Sequence, residues 1–171
     1  MHYIGNPFTI EDLEASGAKI KFNREAQMVA SHLMLSGSIP RVHGWEQSES
    51  NFFIKKEEAY LPDHFEDDQS LFIQHKDGII VLTGCGHAGI INILEHAVNC
   101  CGTEKILAVI GGLHLEGASS ERIGLTVKFL RDFGVEKLII GHCTGFEAMY
   151  SFRQAFGDSL IPLSVGKQIE F

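Results

Sequence analysis

The second half of the chain alternates short, continuous apolar runs with longer stretches whose apolar residues recur at helical spacing. The runs are rich in β-branched and aliphatic residues, which predicts buried strands at residues 79–83, 105–110 and 137–140. The intervening periodic stretches, each followed by a glycine, predict helices at residues 89–101, 119–133 and 147–156. This alternation is typical of an α/β fold in which helices join parallel strands.

The remaining elements are less regular. Residues 70–75 and 79–83 flank an Asp-Gly turn, which predicts a β-hairpin because glycine tolerates positive φ. Weaker patterns predict a helix at 10–16, strands at 19–23, 27–35 and 51–56, a loop at 36–50, an exposed acidic excursion at 57–68, and closing strands at 160–165 and 168–171. We therefore expect mixed strands in the first half and a regular alternation in the second.

Three apolar runs end in small residues and then a histidine. IIVLTGCGH ends at His87, ILAVIGGLH ends at His114 and KLIIGHC contains His142, with spacings of 27 and then 28 residues. Parallel strands would bring all three histidines to the sheet edge at which open α/β sheets bind ligands. Neutral imidazole is a common ligand of zinc and related divalent metals. The pattern therefore predicts a metal site formed by His87, His114 and His142.

The residues beside these histidines allow further interpretations. The glycine-rich segment 84–89 precedes a predicted helix, whose first backbone N–H groups favour an oxyanion or phosphate. Cys85 and Cys143 are candidate nucleophiles beside His87 and His142. Neighbouring residues on a strand point to opposite faces, so adjacency alone does not make a Cys–His pair. Packing as small buried hydrophobes is the simpler interpretation for both cysteines.

Composition narrows the class of protein. The 171 residues fit one domain, residues 1–171, with a formal net charge of −8 and no basic run, which argues against a nucleic-acid partner. No run approaches the ~18 apolar residues needed to span a bilayer, and the N-terminus lacks a signal-peptide pattern. We therefore expect no membrane partner, a cytoplasmic location and four reduced cysteines.

The segments TGCGHAGIINILEHA, VIGGLHL and IIGHCTG, together with GSIPR and LSVGKQIEF, resemble the metallo-β-lactamase superfamily. The closest resemblance is to its branch of metal-dependent hydrolases and dihydropteridine (ribofuranosyl-aminobenzene phosphate) synthase-like proteins. It implies an αββα sandwich and a centre of two divalent metal ions, often zinc. It also implies that His87 completes the first metal site, that His142 belongs to the second, and that His114 replaces a bridging aspartate.

The superfamily motif HxHxDH is absent from this sequence. The resemblance therefore implies roughly the C-terminal two-thirds of a longer enzyme. The expected fold is an incomplete sandwich, made of a C-terminal βαβαβ half and part of the first sheet. An apolar sheet face would then be open, and we expect a partner chain or a second copy to cover it.

Three hypotheses for function follow. The first is a metal-dependent hydrolase-like protein that acts on a small substrate, either phosphorylated or not. The remaining metal ligands of this protein would come from another chain or from a longer protein. The pterin synthase chemistry of the same branch is a variant of it. The alternative is a non-catalytic domain that binds a metal, a phosphorylated ligand or a partner. A cysteine hydrolase is the weakest, since no Cys–His–Asp order is visible.

Overall fold

The computed structural model describes residues 2–46 and 52–171. The strands in this part of the chain are β1 (Gln27–Ala30), β2 (Leu33–Leu35), β3 (Phe53–Lys56), β4 (Ala59–Pro62), β5 (Ser70–His75), β6 (Gly78–Thr83), β7 (Ile106–Gly111), β8 (Lys137–Ile140) and β9 (Leu160–Pro162). The helices are α1 (Ile10–Ala15), α2 (Ile90–Cys101), α3 (Ser120–Asp132) and α4 (Phe146–Phe156). Short 3-10 helices lie at Gly44–Glu46, His142–Thr144 and Gly157–Ser159.

Seven strands form one mixed sheet in the order β1-β2-β5-β6-β7-β8-β9. The pairs from β1 to β6 are antiparallel, whereas β6, β7, β8 and β9 are parallel neighbours. Each parallel connection contains one helix, α2, α3 or α4. The predicted hairpin and the predicted alternation of strands and helices are therefore confirmed, and the carboxyl ends of β6, β7 and β8 share one edge.

The helices α2, α3 and α4 pack on one face of this sheet. Alternation along β6 separates its two faces, because Val81 belongs to the helix-covered core whereas Ile80 belongs to a smaller cluster on the opposite face. Leu94 of α2, Leu130 of α3 and Phe152 of α4 are fully buried in the first core. This apolar core holds in place the sheet edge at which the loops after β6, β7 and β8 begin.

The opposite face is less open than the resemblance implies. Its central residues Ile80, Leu107 and Ile139 are at most 7% exposed. Leu163 and Ile169, from the segment after β9, pack against this cluster, to which no described helix contributes. The large exposed apolar side chains lie mostly before residue 62. The exposed apolar surface of the described residues therefore lies mostly in the N-terminal region and not at the centre of this face.

Several of the weaker predictions are wrong. Residues 19–23 and 168–171 form no strand, and residues 27–35 form two strands instead of one. The excursion at 57–68 contains β4, which pairs with β3 in an exposed hairpin. The apolar stretches in these segments are short, and apolar and polar residues do not alternate regularly along them. The sequence therefore does not indicate where the chain turns back. Residue 51 of the predicted strand 51–56, and residues 47–50 of the predicted loop, lie outside the described residues.

The four α-helices are too short to cross a lipid bilayer, and no other helix of sufficient length and hydrophobicity exists in the described ranges.

Candidate metal centre

Three loops meet at the carboxyl edge of β6, β7 and β8. Backbone hydrogen bonds join them: Gly112 N–H donates to Gly84 O at 2.8 Å, and Leu115 N–H donates to Cys143 O at 3.1 Å. The loops after all three strands therefore form one connected surface, as the strand order predicts. His87, His114 and His142 each lie in one of these loops.

Two glycines allow this close approach. Gly111 has φ +137°, and a Cβ there would lie 2.1 Å from Thr83 O. A Cβ at Gly112 would lie 2.6 Å from Cys143 Sγ. Only glycine avoids both collisions, so the small residues before His114 are required by the packing of neighbouring loops.

The structure brings His87 and His114 together. Their ring centroids are 4.1 Å apart with an interplanar angle of 50°. The Phe65 ring stacks on His87 at 3.8 Å, and the Phe52 ring lies 6.4 Å from His87 and 6.5 Å from His114. The two imidazoles therefore form a half-buried pair within an aromatic wall, which we call the histidine pair.

The surroundings of the histidine pair favour neutral rings. Burial lowers the pKa of His87, and the nearby Arg41 guanidinium lowers it further. Burial also lowers the pKa of His114, with added contributions from His87 and Arg122. A neutral imidazole keeps the lone pair that a metal requires. Both side chains are thus held in the ligating protonation state.

One atom of the pair lacks a protein partner. His114 Nδ1 is buried, and none of the described residues forms a hydrogen bond with it. A buried polar atom of this kind is costly unless something else satisfies it. A divalent cation fits this requirement, and an imidazole-rich donor set suits zinc and related metals. Two imidazoles supply at most half of a four-coordinate shell, so further donors are needed.

Polar contacts from the first half of the chain hold the histidine pair in place. Arg41 donates from Nη1 to His87 O at 2.8 Å and from Nη2 to Phe65 O at 2.9 Å. Asp68 accepts from Ala88 N–H at 2.9 Å, and burial raises the pKa of this carboxyl. These contacts connect the aromatic wall to the His87 loop.

His142 lies in a different group of side chains. Its Nε2 is 3.2 Å from Cys85 Sγ, and Cys143 Sγ lies 3.4 Å from Cys85 O. The ligating atoms of Cys85, His142 and Cys143 all lie within 4.8 Å of one another. We call these three residues the thiol–imidazole cluster. The three histidines form no such group of their own in the described structure.

The structure therefore brings two of the three predicted ligands together and places the third against two thiols. A metal role for His87, His114 and His142 stays a prediction. Sequence reasoning weighed Cys85 and Cys143 only as nucleophiles or packing residues and overlooked both as ligands. Their positions in two of the three histidine loops were the available signal.

Backbone strain concentrates at this edge. Four non-glycine residues in the described chain have positive φ, and three of them are Phe65 at 49°, His114 at 44° and His142 at 55°. This conformation is uncommon for residues with a Cβ and persists where the surroundings enforce it. The loops thus hold these three rings in orientations that a relaxed backbone would not give.

The predicted phosphate site at the start of α2 is not available. Glu46, which is 2% exposed, accepts from Ile91 N–H at 3.0 Å and from Asn92 N–H at 2.8 Å. Because two carboxylates, Glu46 and Asp68, already bind the amides around this helix start, an added anion would find negative charge instead of free donors. The chain itself supplies the anion that the pattern predicted as a ligand.

The thiol of Cys143 gives little support to nucleophilic catalysis. Burial raises the pKa of Cys143 to about 11, and proximity to Cys85 acts in the same direction. A thiol with this pKa is protonated at neutral pH, whereas the reactive form is the thiolate. The cysteine-hydrolase hypothesis therefore remains the weakest of the three.

Comparison with known proteins gives consistent matches. No family model matches the chain. It is 32% identical over 164 residues to 7,8-dihydropterin-6-methyl-4-(β-D-ribofuranosyl)-aminobenzene-5'-phosphate synthase of Methanocaldococcus jannaschii, covering 94% of this chain. It is 30% identical over 154 residues to an uncharacterized protein of the same organism, covering 89% of this chain. The chain spans 56% of each relative, little more than half of their length.

A solved structure extends the match to three dimensions. The crystal structure of Tm1679, a metal-dependent hydrolase of the β-lactamase superfamily, superposes with a TM-score of 0.80 at 30% identity. The match covers 90% of this chain and 58% of that one. The fold is therefore the metallo-β-lactamase fold, with helices on one face of a mixed sheet and histidines at its carboxyl edge. The sequence and structural matches together show that the chain belongs to the metallo-β-lactamase superfamily.

Proposed function

We propose that this chain is the metal-binding part of a metal-dependent hydrolase-like protein that acts on a small ester or phosphoester. The observation that carries the proposal is the histidine pair, with its neutral rings and the unpartnered His114 Nδ1. His87 and His114 would hold a divalent cation, zinc being the expected one, and His142 is proposed as a ligand of a second, neighbouring cation. A bound cation of this kind acts as a Lewis acid that polarises a carbonyl or phosphoryl oxygen.

The residues around the pair suit this role. Phe65 covers one face of the His87 ring, which restricts water from that side. Burial keeps both imidazoles neutral and therefore able to bind a cation. Arg41 fixes the His87 loop through two carbonyl oxygens. These residues bind and orient, while the remaining ligands are proposed to come from another chain or from a longer protein.

A groove beside the histidine pair is the proposed substrate site. It has a volume of about 680 Å³ and is lined by Phe65, Ala88 and Arg41 among others. Lys21 and Arg24 add positive charge, whereas Glu66, Asp67 and Asp68 line it with negative charge. A small polar substrate with an anionic group suits the basic side of this lining. A phosphorylated substrate is therefore proposed to bind here and not at the start of α2.

The proposal includes a covering layer and a location. Large apolar side chains in the N-terminal region are exposed, such as Phe22 at 79% and Phe8 at 62%. We infer that a partner chain or a second copy covers them, because extended apolar surface favours association. Light scattering tests the second copy: a dimer supports it, and a stable monodisperse monomer contradicts it. A cytoplasmic location is part of the same proposal.

Elemental analysis of the purified chain tests the metal proposal. Because the thiol–imidazole cluster also offers metal donors, the measurement is made on a Cys85→Ser/Cys143→Ser chain. We expect this chain to retain close to one divalent ion, because a preformed site binds near-stoichiometrically. His87→Ala and His114→Asn should each lower retention by about tenfold or more. Asparagine is chosen at position 114 because it tolerates positive φ. His32→Ala, which alters an exposed histidine, is the matched control.

Two results would contradict the proposal. One is retention below about 0.1 ion per chain in the Cys85→Ser/Cys143→Ser chain after incubation with zinc and desalting. The other is unchanged retention in both His87→Ala and His114→Asn. If metal is retained but phosphoesters and esters are not hydrolysed even with a supplied partner half, the alternative of a non-catalytic metal-binding domain is favoured.

A further inference from the structure

The thiol–imidazole cluster combines donors from two loops that are far apart in sequence. Cys85 follows β6, whereas His142 and Cys143 follow β8. The Cys85 Sγ to His142 Nε2 distance is 3.2 Å, and all three donor atoms lie within 4.8 Å of one another. We propose that Cys85, His142 and Cys143 form a second metal site, which binds a thiophilic divalent cation such as zinc through two sulfurs and one imidazole.

The Cys85 to His142 separation is close to that of a tetrahedral zinc site, and the other two donor separations are at most 4.8 Å. Zn–S bonds of about 2.3 Å and Zn–N bonds of about 2.0–2.1 Å place sulfur and nitrogen roughly 3.6 Å apart, and two sulfurs roughly 3.8 Å apart. The Cys85 to His142 distance needs to lengthen by only a few tenths of an ångström, which a χ adjustment supplies. Three protein donors leave the fourth position open to solvent or to a small ligand.

The surrounding backbone holds the cluster in place. Leu115 N–H and Glu116 N–H both donate to Cys143 O, at 3.1 and 3.2 Å, and they fix the loop that carries His142. His142 keeps a φ of +55° within that loop. The loop is thus set by contacts from the neighbouring strand connection, independently of any interaction between the three side chains.

The sulfur of Cys143 has a prepared environment. The absence of a side chain at Gly112 leaves room for Sγ, since a Cβ there would lie 2.6 Å away. Cys143 Sγ also lies 3.4 Å from Cys85 O, so this sulfur is held beside the residue that carries the other thiol.

This inference goes beyond the proposed function and shares only His142 with it. Cys100 and Cys101 provide an internal comparison, because they lie at the end of α2 and outside the cluster. Both are half-buried, as are Cys85 and Cys143. A difference in zinc response between the two pairs would therefore reflect ligation instead of exposure alone.

Zinc protection of individual thiols tests the site. The reduced chain is alkylated with and without one equivalent of Zn²⁺, and peptide mass spectrometry measures the rate at each cysteine. We expect zinc to slow alkylation of Cys85 and Cys143 by about tenfold or more, and to change Cys100 and Cys101 by less than about twofold. Equal rates with and without zinc at Cys85 and Cys143 would overturn the proposal, as would equal protection of all four cysteines.

Two variants separate this site from the histidine pair. His142→Asn, which tolerates the positive φ, should remove most of the protection. The His87→Ala variant should keep it, whether or not the histidine pair binds metal. Protection that survives His142→Asn, or that disappears in His87→Ala, would overturn a separate Cys–Cys–His site.

Cadmium gives a second measurement that does not depend on alkylation. Cd²⁺ bound by cysteine sulfur absorbs in the ultraviolet through sulfur-to-metal charge transfer. We expect this absorption in the wild type and in a Cys100→Ser/Cys101→Ser variant, and its loss in Cys85→Ser/Cys143→Ser. Undiminished absorption in the latter variant would assign the bound metal to other thiols and overturn the proposal.

Discussion

The parallel half of the molecule, from β6 to the C-terminus, and the N-terminal region before residue 62 place their apolar residues differently. Ile91, Leu94 and Phe152 of the parallel half are fully buried between helices and sheet. In the N-terminal region Phe22 is 79% exposed, and the β3–β4 hairpin is exposed along its length. The comparison indicates that the parallel half is held by its own core, whereas the N-terminal region exposes apolar surface, which we propose is covered by a further layer.

The strongest test of this comparison removes a core side chain. Leu94→Ala deletes buried methyl groups from α2 without new polar groups, and we expect it to lower the free energy of unfolding by about 2–5 kcal/mol. Urea denaturation followed by circular dichroism measures the change. A loss below about 1 kcal/mol would mean that the helix-covered core is not the main source of stability.

A smaller effect is expected where the two regions meet. Arg41→Ala removes the hydrogen bonds to His87 O and Phe65 O, and we expect a loss of about 1.5–3 kcal/mol because charged donors are involved. Arg41→Lys is the matched variant: it keeps the charge without the two-pronged geometry and should recover only part of the loss. Full recovery by lysine would show that charge, and not the paired contacts, joins the regions.

The smallest effect is expected on the exposed hairpin. Tyr60 lies on β4 with 49% of its surface exposed, so Tyr60→Ala should change the free energy of unfolding by no more than about 0.5–1 kcal/mol. The same variant should weaken association if a second copy covers this hairpin, which sedimentation measures. A large loss of stability in a monomeric sample would instead place the hairpin within the core.

The parallel half was predictable because local signals agreed there. The spacing of the apolar residues, the helix-capping residues and the turn residues all indicated the same elements. For example, Gly102 ends α2 at φ +70°, and the Ser119 side chain caps α3. The N-terminal region offered no such agreement. Residues 19–23 have a strand-like composition, yet they join no ladder in the structure, because a strand requires a neighbour that composition cannot specify.

The site was predictable only in part. The strand ends located His87, His114 and His142, since parallel topology fixes which loops share an edge. The pairing of the side chains depended on loop conformation: His114 and His142 have positive φ, and Cys85 meets a histidine 57 residues away. Neighbouring residues on a strand point to opposite faces, which argued against a Cys–His pair between sequence neighbours. This argument does not concern Cys85, because its partner, His142, comes from another loop. Glu46 at the start of α2 was likewise a long-range contact that no local motif indicated.

Arg41 connects the proposed substrate groove to the candidate metal centre. Its side chain lines the groove and also joins the carbonyl of Phe65 to that of His87. An occupant large enough to displace the Phe65 segment would pull on the His87 loop through this guanidinium. An occupant of the groove that shifts Phe65 would therefore also shift the loop that carries His87, a proposed metal ligand.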